Sequence, residues 1–197
     1  MKKLFITIFS LAACISVQAQ DFNKHLATAR SSYSSGNLEG SRFAMQQMLQ
    51  ELDMLTGKEV LKILPSKLES LNANTATDNV TGATGFAGVI IHRDYGAADK
   101  TASIEIISNS PIIASLNAIL AIPFMGTGSN GDRKVIKIEG YKALIQRNSD
   151  SGSDKPSYDV QVPLGSTLVT LKVDNPTEDI VKLANTIPVS KISELLK

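Results

Sequence analysis

The sequence predicts an α+β fold: an N-terminal helical hairpin, then an antiparallel sheet of about six strands flanked by helices. Two changes of pattern carry that expectation. Up to residue 71 the apolar residues recur at helical spacing, and from residue 86 they fall in short β-branched runs. The runs are joined by brief links containing Gly, Pro or Asn, which make hairpins rather than crossovers.

Phe22, Leu26, Ala29 and Tyr33 mark the first helix, with Gly36 as its stop. Asn37 caps the second, whose apolar stripe is Leu38, Ala44, Met48, Leu52 and Leu55. Gly57 reads as an interruption. Val60, Leu61 and Leu64 continue as a short helix that Pro65 ends. The turn from Tyr33 to Glu39 is similar to that of a tetratricopeptide repeat, but no second copy follows at the repeat period, and an array needs several.

Residues 72–85, NANTATDNVTGATG, read as a linker. Phe86 to Asp94 and Thr101 to Ser108 follow as a strand pair. Ser110 and Pro111 read as the cap and first position of a helix filled by Ile112 to Leu120. Val135 to Ile138 and Tyr141 to Gln146 are strands meeting at Gly140. Tyr158 to Val162 and Leu168 to Val173 pair around Pro163-Leu164-Gly165. Asn175-Pro176-Thr177-Glu178 opens the last helix, and Pro188 breaks it. The expected organisation is a leader at 1–19, a helical segment at 20–71, a linker at 72–85 and a sheet-and-helix domain at 86–197. From residue 86 the order β-β-α-β-β-β-β-α, with its strand pair at Gly140-Tyr141, resembles the PsbP-like group of small sheet-and-helix modules. That resemblance implies an accessory or binding role and carries over no functional residue.

Residues 1–19, MKKLFITIFSLAACISVQA, have a basic start, an apolar core from Leu4 to Val17 and small residues at Val17 and Ala19. This is the pattern of a secretory signal cleaved after Ala19. It resembles the export signals of Gram-negative secreted proteins, and it implies a periplasmic or secreted location. Leu11-Ala12-Ala13-Cys14 resembles a lipobox, which would instead make an outer-membrane lipoprotein acylated at Cys14. That reading leaves only Leu4 to Ser10 as the apolar core. Cleavage after Ala19 removes Lys2, Lys3 and Cys14, the one cysteine of the chain. The remaining chain has no thiol, which suits an oxidising compartment.

Twenty basic side chains balance 19 acidic ones, which opposes a nucleic-acid partner. No stretch reaches the roughly 20 apolar residues of a spanning helix. The string TGATGFAG, Thr81 to Gly88, looks like the nucleotide turn of extended short-chain dehydrogenases. That turn needs a buried strand before it and a helix after it. Here polar residues precede it, Val89-Ile90-Ile91 follow, and no Tyr-x-x-x-Lys occurs. Gly126 to Gly131 has phosphate-loop glycine spacing, but Asp132 and Arg133 stand where Lys and Ser or Thr are required. Asn148, Asp150, Asp154 and Asp159 surround a Ser/Gly loop whose sixth and twelfth positions, Ser153 and Asp159, depart from a helix-loop-helix calcium loop. No cofactor and no metal are expected.

Two functions remain. His92 and Asp94 share one strand face and could seed the site of a periplasmic hydrolase, although no nucleophile elbow accompanies them. The favoured expectation is a non-catalytic binding or accessory module that uses an apolar helix face. The candidate interface is Ile112, Ile113, Leu116, Ile119 and Leu120, because a helix apolar all round needs cover on two sides. An envelope protein or an apolar ligand would supply that cover.

Overall fold

In a computed structural model of the chain, residues 21–82, 88–97, 100–122, 132–148 and 156–196 are described. The chain divides into two compact units, Met1–Asp53 and Met54–Lys197. The leader expected at 1–19, the glycine string at 126–131, and Asp150 and Asp154 of the acidic loop lie outside the described residues.

In the first unit, helix α1 covers residues 21–34. Gly36 turns the chain at φ 77°, a conformation that costs glycine little. Helix α2, Leu38–Ile63, then begins under Asn37, whose Oδ1 accepts from Gly40 N at 2.9 Å. The contact between α1 and α2 is made by small buried residues, Ala29, Ser41 and Ala44. Alongside it, His25 Nε2 lies 3.2 Å from Glu51 Oε1.

The second unit is an open, curled antiparallel sheet of eight strands rather than about six. The strands are β1 (Lys67–Leu68), β2 (Leu71–Gly82), β3 (Val89–Ala97), β4 (Lys100–Ile107), β5 (Arg133–Ile138), β6 (Tyr141–Asn148), β7 (Ser157–Leu164) and β8 (Thr167–Asp174). Their order is β1-β2-β3-β4-β8-β7-β6-β5. Two four-strand meanders therefore meet where β4 pairs with β8, for example Ile104 opposite Leu171. The two additional strands come from residues 67–82. The stretch whose composition reads as a linker forms β2, because Leu71 and Val80 anchor it on the core and β3 supplies its hydrogen-bond ladder. Partnering by β3 overrides the low strand propensity of Asn and Asp there.

Alternation then divides the sheet into two faces. The inner face carries Ile91, Tyr95, Ile104, Ile106, Val160, Val169 and Leu171, all buried. Val60 of α2 and Leu64 just past its end join the same core, as do Leu183 of helix α4 (Ile180–Ala184) and Ile192 of helix α5 (Val189–Leu195). Gly57 does not interrupt α2. A β-carbon there would stand 2.6 Å from Val80 Cγ1 and 3.0 Å from Val89 Cγ2, so glycine lets the helix lie close on the sheet.

Turn chemistry fixes the ends. Glu139 and Gly140 take φ 47° and 90°, giving the tight two-residue link between β5 and β6. Glu139 Oε2 also accepts from Ser190 N at 2.8 Å. Glu69, in the turn between β1 and β2, accepts from Thr177 N at 3.0 Å and Glu178 N at 2.8 Å. The residue that caps α4 is Asp179, which accepts from Val181 N and Lys182 N. The 175–178 turn leads into it.

Candidate functional site

Helix α3, Ile113–Leu120, lies on the outer face of the sheet. It starts without a side-chain cap, with Ile112 at the N-cap position. Ser110, expected as the cap, instead donates its N–H to Ser166 O and accepts from Ile113 N through its carbonyl at 3.4 Å. Leu116 and Leu120, one turn apart, are buried against Leu144 and Leu168, with Ile113, Ile119 and Val135 packed around them. The five candidate interface residues are thus separated by the helix. Leu116 and Leu120 face the strands, Ile113 and Ile119 are half-buried at the margin, and Ile112 is 44% exposed. Ile122, just past the helix, is 50% exposed, and Ala114 and Ala118 lie open between them.

A groove of about 290 Å³ runs beside the end of the helix, lined by Asn117, Leu120, Ala121, Lys142 and Pro163. Lys142 reaches from β6 and donates to Leu120 O at 3.2 Å, placing a cation at the negative end of the helix. The described residues that line it offer apolar contact and the Lys142 ammonium group.

His92 and Asp94 share the outer face of β3, as their spacing predicts, and His92 Nε2 lies 2.9 Å from Asp94 Oδ1. Each side chain is partly exposed. Strand register sets Glu105 opposite His92 and Ser103 opposite Asp94. Neither His92 nor Asp94 lines the groove beside α3. Among the described residues, no group of three or more His, Cys, Asp or Glu could hold a metal ion. Gly88, the last glycine of TGATGFAG, takes φ 145°, and a β-carbon on it would meet Ser108 Oγ at 2.6 Å. That glycine serves the start of β3, where Val89 N donates to Ser108 Oγ at 2.6 Å.

Sequence reasoning missed one electrostatic feature. Arg93 points to the inner face between Ile91 and Tyr95 and is buried. Its Nε donates to Asp78 Oδ1 at 2.8 Å and its Nη2 to Asp78 Oδ2 at 2.5 Å. Asp78 reaches it because the β2–β3 register slips between Asn74 and Asn79, and the extra residues re-aim the side chain. The hydrogen bond that Arg93 donates to Asp78 is the largest influence raising its pKa, ahead of the burial that lowers it. Tyr95 OH donates to Pro65 O at 2.9 Å, and burial pushes its hydroxyl up to about 12. The signal was present: Val89, Ile91, Arg93 and Tyr95 alternate in one strand, and an inward Arg requires an acid nearby.

Compared with known proteins, the chain matches no family model, no curated protein and no solved structure. No helix among the described residues is long and apolar enough to cross a membrane.

Proposed function

We propose that the protein is a non-catalytic binding or accessory module, exported to the periplasm or beyond, that docks an envelope protein or an apolar ligand on the outer side of α3. The export pattern of residues 1–19 supports the location. The observation that carries the docking face is the exposure of Ile112 and Ile122 at the two ends of a helix whose other side is packed on the sheet. Isolated exposed apolar residues are ordinary, but these two, with Ala114 and Ala118 open between them, leave one side of the helix apolar and exposed.

Site-specific photo-crosslinking in envelope extracts tests this. A photoreactive residue at position 112 or 122 should yield one discrete adduct, and one at Ala97 should not. Ile112→Asp should abolish the adduct formed from position 122 while leaving the melting temperature within a few degrees. Leu116→Asp should unfold the chain, because a buried, unpaired carboxylate costs several kcal/mol. If no adduct forms at either position, the docking face lies elsewhere.

The hydrogen bond between His92 and Asp94 favours a second reading, a hydrolase with those residues in its site. A hydrolytic activity of the purified protein that is lost in His92→Ala, with folding retained, would support that reading over the module.

A further inference from the structure

The two edges of the sheet are finished differently. At one end of the strand order β1 is only two residues long, and β2 beside it breaks register with β3 between Asn74 and Asn79. A bulge and an inward charge, here Asp78, are devices that keep an edge from pairing with another chain. At the other end β5 pairs with β6 in unbroken register, from Arg133 opposite Gln146 to Ile138 opposite Tyr141. The two-residue link makes Ile138 and Tyr141 a hydrogen-bonded pair, and such pairs alternate along the ladder. Ile138, Ile136 and Lys134 therefore bond to β6, and the N–H and C=O groups of Arg133, Val135 and Lys137 point away from it. Among the described residues nothing pairs with those outward groups.

The same edge carries charge of one sign. Residues 132–147 hold five cations, Arg133, Lys134, Lys137, Lys142 and Arg147, against two carboxylates, Asp132 and Glu139, in a chain whose net charge is +1. All five cations are exposed, and among the described residues none is in an ion pair. Glu139 is turned to Ser190 N. Lys137 stands directly opposite Lys142, a like-charge pair that costs stability until an anion lies beside it. We propose that β5 accepts an extended, acidic segment of another protein as an added strand. Arg133 and Lys137 share the outer face with Val135, which packs with α3, and Lys134 is on the inner face. An added strand, whose own side chains alternate with period two, brings carboxylates to both faces at once. An anionic membrane surface would meet one face and leave the other unmatched. A second copy is disfavoured, because two β5 strands centred on Val135 would set Arg133 against Lys137. The β5 edge is separate from the exposed side of α3 and binds whether or not that side docks a partner.

Fluorescence anisotropy with the labelled, end-capped peptide Thr-Glu-Val-Val-Glu-Glu tests the proposal on the full chain. Laid antiparallel on β5, the peptide sets Glu against Lys137, Lys134 and Arg133, and Val against Ile136 and Val135. It should bind in dilute buffer with a dissociation constant below about 100 µM. Methylating the three amides that face β5, at the first Glu, the second Val and the last Glu, removes donors and keeps every charge. Binding should then weaken about tenfold or more. Val135→Pro should weaken it as much with the melting temperature within a few degrees, because the lost N–H faces outward and an edge strand tolerates proline. Lys134→Glu combined with Lys137→Glu should cost about tenfold as well. Should Val135→Pro fail to fold, the methylated peptide makes the same distinction. An unmodified peptide that does not bind overturns the proposal. Equal binding of the methylated peptide, which leaves charge alone as the cause, also overturns it, and so does an affinity that the Glu pair leaves unchanged. Phosphatidylglycerol vesicles that bind the chain and displace the peptide would assign the edge to a membrane surface and overturn it too.

Discussion

Arg93 and Asp78 show what one inward charge demands of its surroundings. The guanidinium sits within an apolar strand face, and its stability depends on two hydrogen bonds that it donates to a carboxylate delivered by a strand irregularity. Removing one partner leaves an uncompensated buried charge, which is costlier than never having had the pair. Asp78→Ala should therefore destabilise the second unit by about 3 kcal/mol in urea unfolding. The double change Asp78→Ala with Arg93→Met should recover most of that loss. If the double variant is no more stable than the single one, the pair contributes more than mutual compensation. Tyr95, beside them, sets a pH limit. Its folded pKa is raised to about 12 by burial, above the ordinary value of 10.0, so the neutral hydroxyl belongs to the folded state. The stability linked to it is complete below pH 10 and is lost as pH rises through 12. The melting temperature should fall across that window, and Tyr95→Phe should flatten the fall. The latest component of the tyrosinate absorbance should also be missing in the Phe variant.

At the scale of elements, the period of the apolar residues was legible and the contacts between elements were not. Strands β3 to β8 and helix α3 lie close to where alternation and helical spacing put them, because each carries its own apolar pattern. β2 carries almost none. Its residues from Asn72 to Asn79 are polar and small, and they are a strand because β3 needs a partner at its edge. Gly57 was misread for a related reason. Intrinsic propensity makes glycine a break, but here the sheet approaches the helix so closely that no β-carbon fits. Gly57→Ala separates the two effects. The intrinsic gain of Ala over Gly in a helix is about 1 kcal/mol, while overpacking a tight contact costs about 1–3 kcal/mol. The close approach to Val80 and Val89 should win, and thermal unfolding should show a lower melting temperature. A higher one would mean that the sheet yields to the methyl group. Of the candidate interface, the spacing found the helix, but it could not tell which side of it the strands would take. That depends on Leu144 and Leu168, which lie 24 and 48 positions beyond Leu120 in the chain.

At the scale of the whole molecule, the boundary between units decides which truncations survive. The sequence places the end of the helical segment at residue 71. The structure draws the line inside α2, between Asp53 and Met54. Four residues between those two boundaries, Val60, Leu64, Leu68 and Leu71, belong to the sheet's own core. Burying one such side chain contributes about 1.5–3 kcal/mol, so together they account for roughly 6–12 kcal/mol. That equals most or all of the 5–15 kcal/mol by which a typical domain is stable. A chain beginning at residue 72 should therefore lack a cooperative transition, whereas one beginning at residue 54 should keep it, both followed by circular dichroism on heating. Hydrogen exchange on the intact chain gives the complementary measurement. α1 and the first half of α2 bury only small residues, so their amides should exchange well before those of β3, β4 and β8, whose side chains form the centre of the core. Protection in α1 equal to that of β4 at micromolar concentration would show that the hairpin has found large-scale cover.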